Sequence, residues 1–239
     1  MSLDTTFLTD VFIRLSAGVP ITLTLAFTSI SLGFILAFNL ALIQTVTDRK
    51  FITWPICVFV ESIRGTPLLI QMFIIYYGFS QFWETFDTLG VWWFFREPYW
   101  CSILALTLNT SAYGSEIIRG GLQSVPQNQI VAAKAFGMSP FLVYRRIILP
   151  LALRHAIPAY GNEIILIVKG TSLTSIITLV EITKIAHEII SQTYRTSEVF
   201  ICASLIYLTI NFIIISLVTV LEYLLSPQSR STSASGYTK

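Results

Sequence analysis

Charge is what this chain has least of. Only 12% of its 239 residues are Asp, Glu, Lys or Arg, against 54% hydrophobic ones, and the mean hydropathy is +0.72. That is roughly half the charge of a typical soluble chain. A soluble domain of this length cannot hide so much apolar surface and stay dispersed, so the composition points to the bilayer. Chemistry-bearing constellations are missing as well. No Gly-rich phosphate loop of the Walker A kind occurs, so the chain does not hydrolyse ATP by that route. The two histidines, His155 and His187, lie far apart in connecting segments. No Ser/His/Asp, Cys/His or metal-ligand grouping can be assembled from the pattern. Cys57, Cys101 and Cys202 are odd in number and sit in or beside apolar segments, which argues against a disulfide framework. The first residues lack a basic leader region, and no cleavage site follows the first apolar segment, so a removable signal is not expected. There is no internal repeat. Enzyme is the weakest class of function for such a chain.

Apolar length is what the chain has in quantity. Five segments, residues 19–43, 54–79, 100–118, 156–179 and 199–225, are each about 20 residues or longer, enough to cross a hydrocarbon core as a helix. The second and fourth carry internal charge and Gly or Pro. The connections alternate in basic content. Arg49 and Lys50 lie in the first, and Arg119, Lys134, Arg145, Arg146 and Arg154 lie in the third with no acid. The second and fourth hold as many acids as bases, or more. By the positive-inside rule the first and third connections face the cytoplasm, which sets the N-terminus outside and the C-terminus inside. The expectation is an all-α membrane protein of about five transmembrane helices. Residues 1–18 form an extracytoplasmic segment, 19–225 the membrane domain, and 226–239 a Ser/Thr-rich disordered tail. Two readings stand for the run Trp92-Trp93-Phe94-Phe95 with Tyr99 and Trp100: an interfacial aromatic belt, or the packing of a small outer cap.

The long polar interruption, Arg119 to His155, carries the clearest pattern. Pro126 suits the opening of a helix, Gln127 to Phe136 are good helix formers, and Gly137 can close it in a left-handed cap. Ser139-Pro140 repeats the start signal, and Pro150 is expected to stop the second helix at Leu149. Two short helices with a sharp bend result. Ala132, Ala133 and Ala135 keep the first one thin enough for another surface to approach. Within this stretch Val131-Ala132-Ala133, three residues, Gly137, nine residues, then Ile147-Ile148-Leu149-Pro150 is the full spacing of a recognisable motif. It resembles the cytoplasmic coupling loop of permease subunits in binding-protein-dependent ABC importers, in which Val131 is replaced by Glu. The resemblance implies that Ala132, Ala133, Gly137, Ile147, Leu149 and Pro150 belong to a joint with an ATPase subunit.

Polar groups inside the spans are costly and are functional hypotheses by default. Asn109, Tyr113 and Glu116 fall on one helix face, and Arg119 is placed to pair with Glu116. Glu163 cannot pair with Lys169 along one regular helix. Lys169-Gly170-Thr171-Ser172 reads as a helix break, a feature that often makes solute sites. Gly65 and Pro67 are expected to kink the second span beside Arg64. Arg64 meets either a substrate carboxylate or an internal one, Glu163 or Glu116. The candidate solute path is therefore Arg64, Asn109, Glu163, Thr171 and Ser172.

Further stretches narrow the resemblance to permeases for polar amino acids: Gly18-Val19-Pro20, Arg64-Gly65-Thr66-Pro67-Leu68-Leu69, Ala105 to Tyr113, Ala156 to Glu163, and Lys169 to Leu173. It looks most like the second permease subunit of systems for histidine, lysine, arginine and ornithine, or for opines. Many such relatives have an acid where Gly170 stands. The resemblance implies a bacterial cell membrane location, a second homologous permease, two ATPase subunits and an extracytoplasmic amino-acid-binding protein. ATP and magnesium are expected on the ATPase, with no cofactor on this chain and no nucleic acid. Alternatives are a permease for another polar amino acid, or a channel or secondary transporter in which Glu163 and Glu116 carry protons or cations. A non-transporting scaffold is disfavoured by the cost of burying Glu163 and Lys169.

Overall fold

Inside a bilayer every backbone polar group must find its partner within the protein, and a helix does this within one segment. The computed structural model, which describes residues 4–225, is helical throughout, with no strand among those residues. The expected tail at 226–239 lies outside the described residues. Helix α1 (Thr5–Ser16) opens at Asp4, whose carboxylate accepts a hydrogen bond from the Phe7 amide at 3.2 Å. It runs through a tight turn at Gly18 into α2 (Val19–Val46). The pair forms one apolar stretch, Thr5–Val46, long enough to cross a membrane. Part of the expected outer segment is thus an amphipathic helix, with Val11 and Leu15 fully buried.

The buried face of α2 reads Ala26, Ser29, Gly33, Ala37, Ala41, a stripe of small residues at spacings of three and four. Apolar tails drive no association between helices in lipid, so close backbone approach and dispersion must do it. Against this stripe lies α7 (Pro98–Gln123), and the two make the most extensive helix pair of the molecule. The third expected span falls in α7. This helix is rich in Ser, Thr and Asn because it is enclosed by α2, α3 (Lys50–Arg64) and α9 (Pro140–Ile177) rather than by lipid.

The second expected span is broken. Helix α3 gives way at Gly65 to α4 (Leu68–Gly78), and the two axes differ by 106°. Pro67, extended at φ −62° and ψ 136°, forces its predecessor out of the helical region and supplies no donor. The kink expected here is a full change of direction. Beyond α4, α5 (Trp83–Thr88) and α6 (Trp92–Arg96) fold their rings together, with Phe86 stacked on Phe95 at 4.7 Å and Phe79 edge-on to Phe95. Phe95 therefore belongs to a packed cap, while Trp93 stays exposed.

Two expectations for the fourth segment are corrected. Past α8 (Gln127–Ala135), α9 does not stop at Leu149, which is helical at φ −62° and ψ −46°. A π turn, Tyr144–Ile148, precedes Pro150, and the Leu149 amide bonds back five residues to Tyr144. The missing proline donor falls where the ladder returns to the ordinary register, so the helix passes through it. Nor is there a break at Lys169-Gly170-Thr171-Ser172. The rod tightens to a 3-10 helix over Thr171–Ile177 and ends at Thr178, in the left-handed region at φ 72°. It then meets α10 (Ile182–Thr193) at 49°, and α11 (Thr196–Leu225) closes the bundle. Helices α1, α10 and the start of α11 share one apolar cluster at that end.

The α2–α7 seam makes a testable demand. A Cβ at Gly33 would lie 2.6 Å from Thr110 Cβ, whereas one at Gly120 meets nothing within 4 Å. Gly33→Val should lower the melting temperature of the purified protein, as overpacking costs about 1–3 kcal/mol. Gly120→Ala should leave it equal or raise it, worth up to about 1 kcal/mol. Unchanged melting in Gly33→Val would contradict the packing described.

Candidate functional site

Breaking a helix in an apolar setting strands the carbonyls of its last turn. In α3 the Glu61 carbonyl accepts from the Gly65 amide at 2.8 Å, and those of Ser62, Ile63 and Arg64 each find a side chain. The Thr66 hydroxyl donates to the Ser62 carbonyl at 2.9 Å, and the Tyr113 hydroxyl donates to that of Arg64 at 3.3 Å. The buried Gln71 amide nitrogen donates to the carbonyls of Ile63, at 2.7 Å, and Thr66, at 3.0 Å. Asn109 then donates to Gln71 Oε1 at 3.2 Å, which locks the clamp to α7. Sequence reasoning placed Gln71 in the span without seeing this role. Its signal was a polar amide four residues after a helix-breaking proline.

The clamp holds open a cavity of about 450 Å³ between the break, α7 and α9. Arg64, Asn109, Tyr113 and Glu163 supply its polar lining, and Pro67, Leu68 and Leu166 part of the apolar wall. Three of the five expected path residues are thus brought together. Thr171 and Ser172 are not among them: their hydroxyls turn back onto the Val168 and Lys169 carbonyls of their own helix, each at 2.7 Å. A Ser or Thr within a helix commonly bonds in this way. Gly170 is buried with Leu68 3.0 Å from where its Cβ would stand, so this position packs closely against the break.

Glu163 is 5% exposed and makes no hydrogen bond or ion pair among the described residues. The expected alternative of an Arg64–Glu163 pair is not formed; the two line the same cavity without contact. Arg64 instead reaches Glu61 at 3.4 Å and Glu116 at 3.9 Å, with its guanidinium 5.6 Å from the Tyr113 ring centre. Single long contacts from a partly exposed arginine are worth about 0–1 kcal/mol. The expected Glu116–Arg119 pair is present and two-pronged, with Arg119 Nε donating at 2.9 Å and Nη2 to the second oxygen. The cavity thus holds an unpaired carboxyl on one wall and a loosely held guanidinium on another.

The polar segment around Gly137 folds as its caps demand. Gly137 sits at φ 76°, the Met138 amide donates to the Ala133 carbonyl at 3.2 Å and that of Gly137 to Lys134 at 3.0 Å, a closed helix end that an L side chain resists. The Ser139 hydroxyl accepts from the Leu142 amide at 3.4 Å and starts α9. The face presented outward differs from expectation. Ala132 is exposed, but Ala133 is 4% exposed, and Ile147 and Leu149 are half-buried. What stands out is apolar: Val131, Phe136 and Phe141, exposed by 63%, 89% and 72%. The two phenylalanines flanking Gly137 were not singled out from sequence.

A helical membrane protein with a cavity at a broken span and an apolar loop at the end of a continuous rod has the parts of a transport subunit. The family described as the binding-protein-dependent transport system inner membrane component matches residues 29–226, and this chain belongs to it. It is 52% identical over 232 residues to the octopine transport system permease protein OccM of Rhizobium meliloti, covering 97% of this chain and 94% of that one. It is 45% identical over 202 residues to the histidine/lysine/arginine/ornithine transport system permease protein HisM of Salmonella typhimurium, with 84% and 85% covered. A crystal structure of an amino acid ABC transporter with histidines aligns at a TM-score of 0.82 with 31% identity, over 93% of this chain and 99% of that one. The chain is a transport component rather than a catalyst.

The exposures on α8 predict opposite outcomes for two acidic substitutions. Val131→Glu adds a charge to an exposed position and should leave melting within about 0.5 kcal/mol. Ala133→Glu places a carboxylate where nothing can solvate it, and should unfold the loop, detected as new proteolytic cleavage between residues 127 and 140. Equal protease resistance of the two variants would show that Ala133 is not the inward residue.

Proposed function

We propose that this chain is one permease subunit of an ATP-driven importer for basic amino acids or opines, and that it shares the membrane with a second, homologous permease. The charge bias supports five spans with α8 on the cytoplasmic side, the N-terminus outside and the C-terminus inside. The exposed Val131, Phe136 and Phe141 beside the rigid Gly137 turn give an ATPase subunit an apolar surface to grip. Of the residues that the motif assigns to the joint, Ala132, Gly137 and Pro150 are exposed, while Ala133 is buried and Ile147 and Leu149 are half-buried. Val131 in place of the family's Glu makes this joint apolar rather than ionic. ATP and magnesium belong to that partner, and delivery of the solute to an extracytoplasmic binding protein.

Motion at the joint has a direct route inward. Helix α9 begins at Ser139 in the loop and runs unbroken past Glu163 to Ile177, roughly 55 Å at 1.5 Å per residue. A tilt imposed at one end displaces Glu163 against the α3–α4 break.

One observation carries the solute reading: Arg64 and Glu163 line one cavity without neutralising each other. Lysine, arginine and ornithine, named for the relatives, each carry a carboxylate and a cationic side chain. Arg64 suits the first and Glu163 the second, with Asn109 and Tyr113 as neutral neighbours. Weak binding suits a transit site. The test is uptake of radiolabelled arginine by the complete complex in proteoliposomes, with Arg64→Glu and Glu163→Arg combined. The complex should assemble and lose uptake by more than about tenfold, the effect of ~1.4 kcal/mol or more of lost recognition. Full uptake in the swapped protein would mean a structural pair and sink the proposal.

A further inference from the structure

Two cavities follow one another along α7, and a chain of ion pairs separates them. Asn109 and Tyr113 line the first. The second, about 470 Å³, begins at Glu116 and continues past Arg119 to Gln123, with Asp48, Cys57 and Glu61 on its other side. Arg64 belongs to the first cavity, while Glu61, Glu116 and Arg119 belong to the second. The Glu61–Arg64 and Arg64–Glu116 contacts therefore cross the divide.

The links differ in strength. Arg119 holds Glu116 with two N–H groups from the same helix, the forked geometry of a strong pair. Arg64 touches both acids through Nη1 alone, at 3.4 and 3.9 Å, with its side chain 35% exposed. At those distances it is a weak hydrogen bond at best. Arg64 is the link that lets go first, and the Tyr113 ring beside it offers its guanidinium another resting place. Once it swings away, Glu61 loses its cation and Glu116 keeps only Arg119, at the second cavity's edge nearest the first. Beyond them the second cavity sets three carboxylates, counting Asp48, against Arg119 alone. Such a lining, net negative, favours a cation over an anion.

We propose that Glu61, Arg64 and Glu116 form a charge-exchange gate on the solute path. A cationic side chain in the first cavity displaces the Arg64 guanidinium from the two acids and passes into the second cavity, after which Arg64 returns. This rests on the reading of the first cavity as a solute site, and it makes Glu61 and Glu116 determinants of selectivity for a cationic solute. Glu61, whose side chain is highly exposed and takes no part in the hydrogen bonds that seal the helix break, is the position to alter.

The experiment uses the complete complex in proteoliposomes with arginine as cargo. Glu61→Gln should keep arginine binding and arginine-stimulated ATP hydrolysis while uptake falls about fivefold, the scale of one partly exposed charge pair. Cys57 gives a second readout on the unaltered chain, since it is exposed at the second cavity while Cys101 and Cys202 are buried. With partner cysteines replaced, a positively charged methanethiosulfonate should modify Cys57 faster during arginine turnover than at rest, and a negatively charged one should not. Unchanged uptake in Glu61→Gln, or equal Cys57 rates at rest and in turnover, overturns the gate. So does loss of arginine binding in Glu61→Gln, which would assign Glu61 to the first site. Arginine binding that survives Glu163→Gln at full affinity would instead defeat the solute-site reading itself, so the two failures are told apart.

Discussion

An interrupted helix inside a membrane protein must find partners for the carbonyls it strands, and the rest of this structure depends on how α3 does so. Each buried carbonyl left unpaired would cost about 1–3 kcal/mol. Gln71, reaching back from the far side of the break, takes that of Ile63 together with the Thr66 carbonyl of the break itself, and Thr66 and Tyr113 take those of Ser62 and Arg64. Because Asn109 holds Gln71, the break is fixed to α7. Without that attachment the bend of 106° would have no fixed direction, and the cavity beneath it no fixed shape. The polar residues of α7 are thus used twice, once to seal the broken backbone and once to face the space it leaves.

Helix α7 can serve as this reference because α2 presses on it through small residues over most of its length. The same logic explains its composition. A helix surrounded by protein has no need to be greasy, so α7 can hold Thr107, Asn109, Thr110, Ser111 and Ser115 on its buried faces. The other rigid body is α9, which carries Glu163 and begins in the exposed loop. One helix positions the cavity and the other links it to the exposed loop, so a small rotation between them changes the cavity's shape.

Much of this was legible in the sequence where local chemistry decides. Gly137 and Ser139 announced their caps, Gly65 and Pro67 the bend, and Glu116 with Arg119 their pair, because each depends on neighbours three or four residues away. Arg64, Asn109 and Glu163 were found as costly polar residues in spans, and three elements bring them to one cavity. What failed depended on register or on distance. Pro150 reads as a stop in every ordinary helix, and only the π turn before it removes the conflict. Thr171 and Ser172 looked like open hydroxyls, but a tightened helix turns them onto their own backbone. Ala133 could not be assigned a side before the fold buried it. Gln71's partners were invisible because the break itself had to be known before its stranded carbonyls could be counted.

The central claim is that the cavity proposed to take the solute exists because side chains hold the broken span open. Equilibrium binding of radiolabelled arginine to the purified complex, freed of its binding protein, tests this directly with Gln71→Leu, a residue of similar size that cannot donate. The account predicts that arginine binding is lost and that melting falls by several degrees, as expected for about 1–3 kcal/mol in a domain of this size, while the ATPase still co-purifies. Arginine affinity equal to that of the unaltered complex would contradict it.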